Sequence, residues 1–244
     1  VDDRGHDRIV LVLKYDRVLV IAISQAVVDD MRALAPASDR VHLLPDGVLS
    51  MARWEQLGAA AGMRGEQQEF HFLLAALFHP SKGQAEALEA FAGVHKRYPH
   101  TRLCFAGSGR SADIQAMVDR MGLGDAVRFA GFVDDILPLM ERSHALLQCS
   151  RHEALGRVTL EAMACALPVI GHASGATPEL LVDGVTGLLY ARPQELAEHM
   201  CRLVEDPQMG AQMGEAGRAA IPGHYTVEAM LAGTLSIYER CIAG

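Results

Sequence analysis

Glu153 and Glu161 are separated by seven residues, and Gly156 stands between them at the start of a helical pattern over Arg157–Ala166. The first amides of such a helix have no intrahelical acceptor and its dipole favours negative charge, so the Leu155-Gly156 turn is a natural seat for a diphosphate. The apolar stripe of this helix runs through Leu160, Met163, Ala164 and Leu167. Glu161 falls one position off that stripe, on the flank, where its carboxylate would accept hydrogen bonds from a ligand's hydroxyls. It also stands four residues after Arg157, the spacing of a surface ion pair worth roughly 0.2–0.5 kcal/mol. Spacing alone leaves both readings open.

Residues so placed need a scaffold that gathers distant loops, and the chain carries its pattern. Apolar runs at Arg17–Ile23, Arg40–Leu44, Phe70–Ala76, Arg102–Ala106, Val127–Ala130, Ala145–Gln148, Pro168–Gly171 and Gly187–Tyr190 read as strands. Helical periods occupy Gln25–Leu34, Gly83–Tyr98, Ser111–Met121, Arg157–Ala166, Pro193–Val204, Pro207–Ala220 and Thr226–Ile242. In Gly83–Tyr98 the stripe is Ala87, Leu88, Phe91, Val94 and Tyr98, and Pro99 ends it. Met51–Glu69, with Gly58, Gly62 and Gly65, reads as a short helix and linker. The alternation predicts an α/β fold with a Rossmann-like, doubly wound parallel sheet. Such sheets bind ligands beyond the carboxyl ends of their strands. There the chain places His79–Gly83, Gly107-Ser108-Gly109, Gly131-Phe132, Ser150–Gly156 and Ser174-Gly175-Ala176, all small, flexible or charged. Loops of that kind on a single edge predict a ligand cleft.

Composition narrows the function classes. Of 244 residues, 50% are hydrophobic and 21% charged, ample for a core and incompatible with intrinsic disorder. Lys and Arg number 22 against 30 Asp and Glu, a net charge of −8 without any basic run, so no nucleic-acid partner is expected. The most apolar stretch, Ile9–Ile23, carries Lys14, Asp16 and Arg17 and does not suit a bilayer span. The five cysteines include no CxxC pair and the eleven histidines no HxH or HxxxH pair, so neither a disulfide framework nor a metal site is indicated. A reducing, cytoplasmic setting is the expectation, with no cofactor.

The string from Ser150 to Ile170 resembles the donor-site signature of the retaining, GT-B-fold glycosyltransferases of family 4, group 1. The resemblance continues through Pro45-Asp46-Gly47-Val48, Lys82-Gly83-Gln84, Gly107-Ser108-Gly109, Ser174–Leu180 and Asp183–Leu189, and spans residues 16–240. In that family two Rossmann-like domains face each other, the C-terminal one binding a nucleoside-diphosphate sugar and the N-terminal one the acceptor. The resemblance implies that Glu153 orients the transferred hexosyl group and Glu161 binds the ribose hydroxyls. It implies that Lys82 holds the diphosphate together with the amides of Leu155 and Gly156, without a metal. It sets Gly107, Ser108, Gly109 and Arg128 near the nucleobase.

Carried to whole segments, the same resemblance makes residues 1–47 the end of an acceptor-side domain. Residues 48–222 become the donor-binding domain, and 223–244 a helix crossing back. Most of the acceptor domain, which would meet a lipid, glycan or small molecule and could touch a membrane peripherally, then lies outside this sequence. The chain alone is accordingly expected to be inactive. Ile9–Ile23 and Thr226–Ile242 should expose apolar surface and drive self-association. Ala76 and Leu77 stand where the family has Gly-Arg, Ala154-Leu155 replaces Gly-Phe, Ala166 and Ala176 replace glycines, and Asp46 replaces Asn. Leu77 removes a basic group aimed at the leaving phosphates. That favours an alternative reading, a nucleotide-sugar-binding domain without turnover. A further alternative is a NAD-type site, because Gly107-Ser108-Gly109-Arg110-Ser111-Ala112 fits G-x-G-x-x-A.

Overall fold

The computed structural model of the protein describes residues 19–34, 40–57 and 69–243. The first part of the Ile9–Ile23 stretch and the linker at 58–68 lie outside these residues. Two parallel sheets are present, one of two strands and one of six. The small sheet pairs β1 (Val20–Ala22) with β2 (Val41–Leu43) across helix α1 (Gln25–Leu34), packed on Ala22, Val28 and Val41. After α2 (Met51–Leu57) the large sheet begins with β3 (Phe70–Ala75), β4 (Thr101–Ala106) and β5 (Val127–Gly131). It continues with β6 (Ala145–Gln148), β7 (Val169–His172) and β8 (Gly187–Tyr190). Its order is β5-β4-β3-β6-β7-β8, so the winding reverses between β3 and β6. This is the doubly wound order, and its ligand crevice opens where the winding reverses.

Helices cover both faces. On one, Phe72 and Leu74 of β3, Phe105 of β4, Leu147 of β6 and Leu188 of β8 are buried. They pack on α3 (Gln84–Arg97), α4 (Ala112–Met121) and α8 (Pro193–Glu205) through residues such as Phe91, Val118 and Met200. On the other, Leu73, Leu146 and Val169 meet α2, α5 (Leu137–Glu141), α6 (Arg157–Ala164) and α7 (Thr177–Leu180). Strands buried on both faces read as continuous apolar runs rather than alternations, as Phe70–Ala75 does. Leu160, Met163, Ala164 and Leu167, the stripe read from the sequence, are all buried.

α9 (Pro207–Ala219) and α10 (Val227–Ala243) complete the chain. α10 leans on the segment that follows the small sheet. Leu49 bridges Thr226, Val48 N–H donates to Tyr225 O at 2.9 Å, and a Cβ on Gly233 would sit 2.4 Å from Leu44 Cδ1. Ile237 is buried, while Leu231, Leu235, Tyr238 and Ile242 stay exposed in one stripe. The expected apolar surface on the last helix is therefore present. Ile21 and Leu43 of the small sheet, and Leu19 just before it, are also exposed.

Candidate functional site

The loops after β3, β6 and β7 converge because glycines let their backbones touch. Gly83 has φ of 72°, and a Cβ there would lie 2.5 Å from Cys149 Cβ and 2.6 Å from Cys149 O. A side chain at this position would be strained by its backbone and would force the two loops apart. The contact brings Lys82, at the end of the short 3-10 turn Pro80–Lys82, over the Ser150–Gly156 loop. Lys82 Nζ and Glu153 Oε1 lie 2.6 Å apart, both side chains mostly shielded from solvent. From the third loop, Gly175 presses on the Glu153 backbone, and the Ala176 N–H donates to Glu153 O at 2.9 Å.

Lys82, Glu153, Leu155 and Gly156 line one pocket of about 370 Å³, together with Leu77 and, from the segment after the small sheet, Asp46. Gly156, with φ of 83°, is the N-cap of α6 and no side chain caps that end. Leu155 keeps its side chain in the core, so it can meet a ligand only through its backbone. Leu77 is 52% exposed at the mouth. Glu153 also lines a second pocket, of about 460 Å³, facing Asp29 and Asp30 of α1 and His152.

Glu161 lines a neighbouring pocket of about 120 Å³ with Asp134, Asp135 and Val48. Its carboxyl pKa is raised by burial, with the Arg157 charge opposing and Asp135 adding. The i,i+4 partner is engaged elsewhere: Arg157 Nη1 lies 3.6 Å from Asp46 Oδ2. Glu161 thus lines a cavity rather than pairing with Arg157 across its own helix.

Other sequence candidates fall outside this group. The glycines of Gly107-Ser108-Gly109 serve backbone contact: a Cβ on Gly107 would lie 1.9 Å from Ala76 O. Phe78 N–H donates to Ser108 O at 2.8 Å, and Gly107 N–H to Gly131 O at 2.7 Å. These bonds lock the loops after β3 and β4 to each other and to the end of β5. A dinucleotide fingerprint belongs to the first strand of the winding, whereas this one follows the second. Arg128 is not brought to the cleft. It lines a separate cavity of about 730 Å³ with Arg102, Arg142 and His71, sharing no residue with the pockets above.

Two contacts had no sequence signal because each joins elements far apart in the chain. Glu179 of α7 accepts hydrogen bonds from Gln25 N–H and Ala26 N–H at 2.6 and 2.7 Å, and so clamps the N-terminus of α1 to α7. Ser174 Oγ donates to Arg151 O at 2.7 Å.

The loops after β3, β6 and β7 meet where the winding of the sheet reverses, the place at which doubly wound sheets carry their ligands. The chain belongs to the glycosyl transferases group 1 family, whose description it matches over residues 64–220. Among curated relatives it is 28% identical over 163 residues to N-acetyl-alpha-D-glucosaminyl L-malate synthase of Bacillus anthracis, covering 66% of this chain and 43% of that protein. It is 32% identical over 154 residues to a GDP-mannose-dependent phosphatidylinositol monomannoside mannosyltransferase of Mycolicibacterium smegmatis, covering 57% of this chain and 40% of that protein. The chain thus spans well under two thirds of the length of these relatives. Among solved structures it resembles Anabaena Alr3699/HepE in complex with UDP and glucose, at 25% identity and a TM-score of 0.84, over 97% of this chain and 68% of that one. The fold is that of the GT-B glycosyltransferases.

Proposed function

We propose that this chain is the donor-binding part of a retaining hexosyltransferase that uses a nucleoside-diphosphate sugar. The observation that carries the reading is the 2.6 Å approach of Lys82 to Glu153 at the reversal of the winding, in front of the uncapped N-terminus of α6. A cation and a helix N-terminus on one side suit a diphosphate. A carboxylate on the other suits the hydroxyls of the attached sugar.

In this reading Lys82 and the amides of Leu155 and Gly156 neutralise the diphosphate as it leaves. Glu153 accepts hydrogen bonds from the hexosyl hydroxyls and holds the anomeric carbon toward the acceptor side. Glu161 accepts from the ribose hydroxyls. Arg128 has no part. Residues 48–222 form the donor domain, and acceptor groups come from sequence beyond this chain. The relatives' names, a GDP-mannose-dependent enzyme and a protein crystallised with UDP and glucose, leave the nucleotide open between uridine and guanosine.

Calorimetric titration with UDP, GDP, UDP-glucose and GDP-mannose tests this. Micromolar binding of one nucleoside diphosphate and its sugar is expected, and binding of neither pair overturns the reading. A second reading, binding without turnover, is favoured by Leu77, which presents an apolar side chain at the mouth of the pocket. Donor hydrolysis by this chain joined to an acceptor domain separates the two.

A further inference from the structure

Behind Glu153 runs a chain of hydrogen bonds that no step above uses. Ser174 Oγ lies 2.7 Å from Arg151 O and 2.7 Å from His172 Nδ1. A hydroxyl has a single proton; donated to Arg151 O, it leaves the serine oxygen to accept from His172 Nδ1–H, which sets the imidazole tautomer. His172 is the last residue of β7, 8% exposed, its ring edge-on to Tyr190 with centroids 5.1 Å apart. The post that holds Ser174 is therefore a packed strand end rather than a mobile loop.

The next two residues continue the same grip. Gly175 approaches the Glu153 backbone so closely that a Cβ would lie 2.7 Å from Glu153 O, and Ala176 N–H donates to that oxygen. Arg151 and Glu153 are thus held by consecutive groups of one loop, on either side of His152. The side chain of Arg151 is tied to α3 by Glu86 at 2.8 Å. The phosphate-side groups depend on other contacts, Gly83 against Cys149 and the Gly156 cap.

We propose that Ser174, oriented by His172, is a positioning residue that fixes the Arg151–Glu153 stretch so that the Glu153 carboxylate meets the sugar of the donor. The assignment rests on the donor-site reading above. A displacement of a fraction of an ångström at Glu153 weakens the sugar contact and leaves the diphosphate contact intact.

The test is calorimetry on the 244-residue chain and on Ser174→Ala, Ser174→Thr, Glu153→Gln and the Ser174→Ala/Glu153→Gln double variant, with UDP against UDP-glucose and GDP against GDP-mannose. Ser174→Ala should lower affinity for the sugar nucleotide about three- to tenfold, the scale of one neutral hydrogen bond, and leave the nucleoside diphosphate within about twofold. Ser174→Thr, which keeps the hydroxyl, should restore the sugar nucleotide. In the Glu153→Gln background the serine change should cost nothing further, because residues acting through one group are not additive. Equal losses for both ligands, additive losses in the double variant, or no loss overturn the proposal. If the unaltered chain binds neither pair, the donor-site reading falls and takes this one with it. If it binds both and Ser174→Ala changes nothing, the positioning role alone falls.

Discussion

At 2.6 Å the Lys82 ammonium and the Glu153 carboxylate balance one another, so a diphosphate that engages Lys82 draws it away from Glu153. Lys82→Ala should weaken nucleoside-diphosphate binding about tenfold or more, since a hydrogen bond to a charged group is worth about 1.5–3 kcal/mol, and leave a bare nucleoside unaffected. Calorimetry with UDP and uridine, or GDP and guanosine, reads the difference. Glu161 gives a prediction in pH. Burial raises its carboxyl pKa above the ordinary value, so folding disfavours the charged form. Above the raised pKa the native protein then carries a cost that Glu161→Gln lacks, and below the unfolded pKa both side chains are neutral. Urea denaturation should find Glu161→Gln the more stable at neutral pH, with the gap closing as pH falls through the carboxylate range. A surface ion pair with Arg157 would give the opposite sign at neutral pH.

Two turns carry the element-scale argument. Gly83 is needed both for its positive φ and for its approach to Cys149, so Gly83→Ala should destabilise the chain by about 2 kcal/mol or more in urea unfolding. Ala166 has φ of 50°, the one non-glycine residue with positive φ among those described. Left-handed backbone costs an alanine about 1–2 kcal/mol, and glycine's extra unfolded-state freedom offsets about half. Ala166→Gly should therefore raise stability by about 0.5 kcal/mol.

The strands and long helices were legible in the sequence because they are buried on both faces or on one clear stripe, as in Phe70–Ala75 and Ala87–Val94. α5 and α7, of five and four residues, are too short to show a helical period. Arg128 escaped for a geometric reason. Val127 and Phe129 pack toward α3 and α4, which turns Arg128 to the opposite face, where α5 is little more than one turn. The loop motifs located Glu153, Lys82 and Gly156 without showing that Lys82 pairs with Glu153 or that Ser174 hydrogen-bonds Arg151 O. Those contacts join residues 71 and 23 positions apart.

For the whole molecule, the exposed stripe Leu231, Leu235, Tyr238 and Ile242 on α10 is the largest expectation about association. Contiguous apolar surface of this kind drives contact between copies. Sedimentation velocity should show concentration-dependent self-association that a Leu231→Glu/Leu235→Lys variant reduces; a monomer at every concentration would contradict it.

The central claim, that Glu153 faces the sugar and Glu161 the ribose, is tested most directly by titrating Glu153→Gln and Glu161→Gln with a nucleoside diphosphate and its sugar. Glu161→Gln should weaken both ligands by similar factors, roughly ten- to a hundredfold, because both carry the ribose. Glu153→Gln should weaken the sugar nucleotide alone, and by freeing Lys82 should leave the nucleoside diphosphate as tight or tighter. Negligible losses in all four titrations, or equal losses of both ligands in Glu153→Gln, would contradict the assignment of this cleft to a glycosyl donor.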